Sequence, residues 1–168
     1  DWLASWCQER NIPLFVEAVQ VATRVNGSPR GHCFWCARER RRALFQLARR
    51  EGCSKLAFGH HADDIAETTL MNLFYSGRVD TMRARSPLFG GDLIVVRPLA
   101  LIEERDIAAF ARASAYPLAG EPCPEGAHSR RSFVKHVLRE AEDQHHRVKR
   151  SIHRALRALE LAEPRTAS

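Results

Sequence analysis

Two short apolar runs, Lys55-Leu56-Ala57-Phe58-Gly59 and Leu93-Ile94-Val95-Val96-Arg97, constrain the fold most. Each is bounded by turn chemistry, Gly59 in one case and Pro98 in the other, and each reads as a buried strand of a parallel sheet. Helical patterns alternate with them. Residues 1–10, 37–51, 63–76 and 103–114 have helical spacing, and Gly52 closes the second of these in the C′ position. Residues 63–76 are apolar nearly all round, which predicts a buried helix. Residues 12–19 read as a further strand and its exit, 20–36 as loop around Asn26-Gly27-Ser28-Pro29, 78–92 as irregular, and 117–128 as a Pro/Gly-rich loop. This alternation predicts an α/β fold with a doubly wound parallel sheet. Two basic amphipathic helices, 129–143 and 147–161, close the chain as an appendage, so residues 1–116 are expected to form one domain and 117–168 a cysteine loop with its helical tail.

The totals narrow the function. Lys plus Arg number 26 against 20 Asp plus Glu, a net charge of +6, which favours a polyanionic partner. No apolar run approaches the roughly 20 residues that span a bilayer, and no signal peptide or lipid-anchor motif is visible. A cytoplasmic location without a membrane partner is the expectation. The chain opens at Asp1 directly into Trp2-Leu3-Ala4-Ser5-Trp6, the pattern of a helix already under way, so further residues are expected upstream.

Five cysteines, Cys7, Cys33, Cys36, Cys53 and Cys123, are an odd count that argues against a disulfide framework in a reducing compartment. Cys33-Phe34-Trp35-Cys36 puts two thiolates within reach of one metal, and two thiolates do not complete a site. Cys123, in the rigid Glu121-Pro122-Cys123-Pro124-Glu125-Gly126 loop, is the best third ligand. Three thiolates suit a [4Fe–4S] cluster with one iron open to sulfide or a substrate sulfur. Zinc, with His32 or His128 as fourth ligand, is the alternative. Cys7 and Cys53 read as small core residues.

On the helix after the cysteine pair, Ala37, Ala43, Leu44, Leu47 and Ala48 share a face, with Arg38, Arg42 and Arg49 on another. Arg40 falls by angle within the apolar stripe, where a guanidinium needs an anionic partner or must snorkel out; a phosphate or a structural carboxylate would serve. Gly59-His60-His61-Ala62-Asp63-Asp64 joins a strand end to a helix start, the place where α/β sheets bind ligands. Gly59 would let a nucleotide approach the backbone, and the helix N-terminus favours anions. Asp64-x-x-Glu67 has the form of a capping box, which would leave the other aspartate free.

In order, Cys33-x-x-Cys36, Arg40, Ala57-Phe58-Gly59-His60-His61-Ala62-Asp63-Asp64-Ile65-Ala66-Glu67-Thr68, Met71-Asn72-Leu73-Phe74-Tyr75, Val96-Arg97-Pro98-Leu99 and Cys123 resemble the tRNA 2-thiocytidine synthetase group of PP-loop ATPases, which have an adenine nucleotide alpha hydrolase-like fold. The chain also resembles 2-thiouridine synthetases and, in the His-His-x-Asp-Asp stretch, tRNA(Ile)-lysidine synthetases, which lack the cluster cysteines. The resemblance covers about residues 1–160. It implies that ATP with Mg2+ adenylates the C2 oxygen of a tRNA pyrimidine, and that sulfur delivered from a donor (sulfide or a sulfur-carrier protein) then displaces AMP. By position Cys33, Cys36 and Cys123 match the cluster ligands. Gly59, His60, His61, Asp63 and Asp64 match the nucleotide site, and Arg40 and Asp64 the catalytic positions.

Two departures stand out. The family's Ser-Gly-Gly-x-Asp-Ser phosphate loop does not occur in this sequence; Gly90-Gly91-Asp92 precedes a strand and does not replace it. Many relatives carry a second CxxC where only Cys123 stands here.

The closing helices carry apolar stripes, Phe133, Val134, Val137, Leu138 and Ala141 in one and Val148, Ile152, Ala155, Leu156 and Leu159 in the other. These predict packing on the domain or on each other, or else a homodimer interface. Arg130, Arg131, Lys135 and Arg139, and then Arg147, Lys149, Arg150, Arg154 and Arg157, are placed on outer faces, suited to tRNA phosphates. Competing functions are a metal-dependent phosphoesterase using His60, His61, Asp63 and Asp64, and a non-catalytic tRNA-binding fragment.

Overall fold

The computed structural model describes residues 2–19, 31–116 and 129–162. The elements in chain order are α1 (Trp2–Glu9), α2 (Gly31–Arg50), β1 (Lys55–Ala57), α3 (Ala62–Ser76), β2 (Arg85–Leu88), β3 (Leu93–Val96), α4 (Glu104–Ala113), α5 (Arg130–Gln144) and α6 (Val148–Ala162), with a 3-10 turn at Phe89–Gly91. The architecture is α/β. The described strands form one sheet in the order β1-β3-β2. Ile94 N–H donates to Ser54 and Phe58 N–H to Val96, so residue numbers rise together and β1 and β3 are parallel, separated by the α3 crossover. The four-residue connection from β2 to β3 admits only an antiparallel hairpin.

Several expectations are corrected here. Residues 12–19 are not a strand: Pro13 offers no N–H to a ladder, and Phe15 and Val16 are 52% and 79% exposed. Residues 78–92 are not wholly irregular, since β2 lies within them. β1 is shorter than 55–59 and is not buried. It lies at an edge of the described sheet, with Lys55 and Ala57 exposed, whereas the central β3 buries Leu93 and Val95. Helix α2 begins at Gly31 rather than residue 37, which moves both cysteines of the CxxC from loop to helix.

Two compact units interleave along the chain, one comprising Asp1–Leu56, Pro87–Val95 and Ala108–Glu121, the other Ala57–Ser86, Val96–Ile107 and Pro122–Ser168. In the first, α1 buries Cys7, as expected, and Trp6 packs against Tyr116 with ring centroids 4.8 Å apart. In the second, α3, α5 and α6 pack on one another. Ala66, Val134 and Leu138 form one buried cluster and Ile65, Ala100 and Leu156 another, with Ile152 against both. The stripes on α5 and α6 thus pack on α3, except that Phe133 and Leu159 are 54% and 48% exposed and Ala155 is exposed too. Helix α3 is buried only in its first half; Leu73, Phe74 and Tyr75 are exposed. It stops where Gly77 adopts φ 60 and returns its N–H to Asn72, a left-handed cap that glycine accepts without a Cβ penalty. Among the described residues no helix is long and apolar enough to cross a membrane.

Candidate functional site

The Gly59–Asp64 segment runs from the end of β1 into α3. His61 is the N-cap residue: its Nδ1 accepts from Asp64 N–H at 3.4 Å, and its own N–H donates to Asp64 Oδ2 at 3.0 Å. The capping box therefore lies three residues earlier than Asp64-x-x-Glu67 predicts, with His61 in the capping role and Asp64 as its reciprocal acid. The acid left over is not free. Asp63 is 6% exposed and accepts from Glu104 N–H at 2.7 Å, satisfying a donor at the start of α4. It also pairs with Lys149 Nζ at 2.6 Å, and Lys149 reaches Glu142 at 2.9 Å.

Burial pushes the Asp63 carboxyl up, but the Lys149 hydrogen bond, the Glu104 amide and the charges of Lys149 and His61 outweigh it and hold the group below its usual value. Burial lowers Lys149, and the two carboxylates overcome that and raise it. Lys149 is thus not on an outer face, as its helical position predicts, but anchors α6 to the first turn of α3. Arg131 is likewise a correction. Its Nε bonds buried Glu67 at 2.7 Å and its Nη2 bonds Asp64 at 2.5 Å, so one guanidinium bridges two carboxylates a turn apart on α3.

The signal for both cations was in the sequence. An apolar helix that carries Asp63, Asp64 and Glu67 needs counter-charges, and the closing helices are rich in Arg and Lys.

His60 Nδ1 accepts from Arg97 Nε at 3.3 Å, and Arg97 Nη1 also reaches the Arg83 carbonyl and Ser86 Oγ. Arg97, the residue after β3, therefore ties the histidine turn to Arg83 and Ser86, a role its place in Val96-Arg97-Pro98-Leu99 does not reveal. A Cβ on Gly59 would meet no atom within 4 Å, so packing alone does not demand glycine there. The α3 N-terminus is less open to an anion than predicted: Ala62 N–H is taken by Ile102, Asp64 N–H by His61, and two carboxylates occupy the first turn. Among the described residues no group of three or more His, Cys, Asp or Glu is arranged to hold a metal ion, so His60, His61, Asp63 and Asp64 do not form a phosphoesterase-type ligand set.

Cys33 and Cys36 stand one turn apart on α2, which puts their Cβ atoms on one face about 5–6 Å apart. Both are free thiols; Cys33 is exposed and Cys36 half-buried. Two soft, accessible donors at this spacing fit a thiophilic metal centre. Cys123, the expected third ligand, lies outside the described residues. Arg40 is exposed, not in the buried stripe; among the described positions of α2 the buried ones are Glu39 and Ala48, and Ala37 is exposed. Cys53 is a further correction: it is exposed in the turn after Gly52, its Sγ 3.8 Å from the Glu51 carbonyl.

A family model described as a PP-loop domain matches residues 1–142. The tRNA-cytidine(32) 2-sulfurtransferase of Geobacter metallireducens is 38% identical over 170 residues, covering 98% of this chain and 65% of that protein. The enzyme of the same name from Dinoroseobacter shibae is 50% identical over 94 residues, covering 56% of this chain and 32% of its own length. The chain thus spans about two thirds or less of these relatives. The solved structure of a U34-tRNA thiolase from Methanococcus maripaludis, with its [4Fe-4S] cluster, superposes with a TM-score of 0.72 at 24% identity, covering 94% of this chain and 54% of that one.

Proposed function

This chain belongs to the PP-loop domain family, and from that premise we propose that it is part of an ATP-dependent tRNA sulfurtransferase that makes 2-thiocytidine. The observation that carries the reading is the pair of accessible thiols, Cys33 and Cys36, one turn apart on α2, in a chain similar along 98% of its length to an enzyme named for thiolation of cytidine 32. In this reading the C2 oxygen of the pyrimidine attacks the α-phosphate of ATP, assisted by Mg2+, and pyrophosphate leaves. Sulfide then attacks C2, and AMP departs with the original oxygen.

Cys33, Cys36 and Cys123 would hold a [4Fe–4S] cluster, which supplies a place for the transferred sulfur; zinc is the weaker assignment, since it offers no sulfur-binding site beyond its closed ligand set. Gly59 would admit the nucleotide to the backbone. His60 and His61 would shape the turn, held by Arg97 and Asp64 respectively. Asp64 and Arg40 are the proposed catalytic residues, and Asp63 fixes the α3–α4 corner on which Asp64 depends. The domain division at residues 116 and 117, a cytoplasmic location and a sulfide or sulfur-carrier donor belong to the same proposal.

The test is nucleoside mass spectrometry of tRNA incubated anaerobically with the reconstituted protein, ATP, Mg2+ and sulfide. The reading expects 2-thiocytidine that requires ATP and disappears in Cys33→Ser. Product formed without ATP, or undiminished in Cys33→Ser, would sink it.

A further inference from the structure

The basic face of α2 does not lie against bulk solvent alone. Arg38, Arg41, Arg42, Phe45 and Arg49 recur at helical spacing and open onto a cleft of about 780 Å3, whose other wall includes Cys53, Phe89 and Leu93. Among the described residues the only carboxylate lining it is Asp92, against four guanidiniums. Such a face repels itself unless an anion sits on it. Glu39 pairs with Arg42 at 3.9 Å.

Two aromatic rings stand among these charges. Phe89 meets Phe45 edge to face, with centroids 5.9 Å apart and an interplanar angle of 82°, and it is nevertheless 64% exposed. Its backbone has φ 52, in the left-handed region, where a bulky residue is an outlier. The β2–β3 hairpin thus holds a large ring out over the cleft in a conformation that local preference does not favour.

We propose that this cleft is a binding groove for a single-stranded stretch of the RNA substrate, with a base stacked at Phe89 and backbone phosphates on Arg38, Arg41 and Arg49. The assignment rests on the tRNA-modifying reading given above. An aromatic ring flanked by a cationic stripe is the chemistry that holds unpaired nucleotides regardless of sequence. A mononucleotide offers the same base and phosphate groups. The arginines, however, run from residue 38 to 49, about 16 Å along the helix axis, a span suited to a chain of phosphates rather than to one polyphosphate.

The experiment measures tRNA and ATP affinities separately, by fluorescence anisotropy over a salt series, on the whole protein carrying this chain. The triple variant R38Q/R41Q/R49Q should reduce the steepness of log affinity against log salt by about 2, from roughly 0.7 per phosphate contact on single strands. Phe89→Leu keeps the apolar contact with Phe45 but removes the stacking face, and should weaken tRNA binding about 5- to 150-fold, the range for one base–aromatic stack. Phe89→Trp should retain affinity, and ATP binding should be unchanged in every variant. Parallel loss of ATP and tRNA binding would reassign the cleft to a mononucleotide. An unchanged salt slope and unchanged Phe89→Leu affinity, in a protein that still thiolates tRNA, would overturn the groove alone. A wild-type protein that neither binds nor thiolates tRNA would overturn the functional reading and the groove together.

Discussion

Replacing Lys149 by Ala should cost clearly more stability than an ordinary change at an exposed basic residue. The carboxylate it leaves behind, Asp63, is 6% exposed and keeps only the Glu104 amide at 2.7 Å as a strong partner. Removing one member of a buried pair typically costs about 3–5 kcal/mol. The retained amide, and the 21% exposure of the lysine side chain, place this case lower, at about 2–3 kcal/mol. The assay is urea unfolding followed by far-UV circular dichroism at neutral pH. Tryptophan fluorescence is the wrong probe, because Trp2, Trp6 and Trp35 all belong to the unit that does not contain Asp63 or Lys149.

The pH dependence follows from the directions of the two shifts. Asp63 titrates lower in the folded state, so its contribution is present above the ordinary carboxylate value and lost as pH falls through the folded one. Lys149 titrates higher in the folded state, so its contribution is complete below the ordinary lysine value and lost as pH rises through the folded one. The gap between wild type and K149A should therefore be flat across the neutral range and close at both extremes. The double variant Asp63→Asn/Lys149→Met should recover most of the loss. A K149A variant within about 0.5 kcal/mol of wild type, the range of ordinary surface changes, would refute the assignment of this pair as buried and structural.

Arg131→Lys should restore only part of what Arg131→Gln loses, because one ammonium cannot replace the separate Nε and Nη2 bonds to Glu67 and Asp64; equal stability of the two variants in the same unfolding assay would contradict the bridging geometry. Leu138→Ala, at a 3% exposed position against Ala66 and Val134, should cost about 2–4 kcal/mol by urea unfolding. Gly77→Ala, at φ 60, should cost about 1 kcal/mol through the left-handed cap of α3, and a neutral result would place the helix end elsewhere.

The sequence made the α/β class legible because strand and helix periods alternate around Gly59 and Pro98, and local turn chemistry ends each element. The fate of residues 12–19 was not legible: the Ile-Pro-Leu-Phe-Val pattern suits a strand, but pairing is a property of neighbours, which one segment does not encode. The histidine–aspartate turn is legible as a turn, yet its capping box lies three residues before the position that Asp64-x-x-Glu67 suggests. Histidine is an uncommon N-cap, although its Nδ1 accepts as an aspartate oxygen does. Helical angle alone places Arg131 and Lys149 on the surface. Their partners sit 64 and 86 residues away in the chain, a long-range pairing that periodicity cannot reveal. Arg40 erred the other way: the buried side of α2 is set by what packs on Glu39 and Ala48, not by the count of leucines.

Iron and acid-labile sulfide, counted per chain after anaerobic reconstitution of wild type and of the separate Cys33→Ser, Cys36→Ser and Cys123→Ser variants, test the proposed centre most directly. The account predicts about four of each in the wild type, as a [4Fe–4S] centre requires, with loss of the cluster and of 2-thiocytidine formation in all three variants. A protein that takes up zinc in place of iron, or a Cys123→Ser variant that keeps its full iron and sulfide, would contradict it.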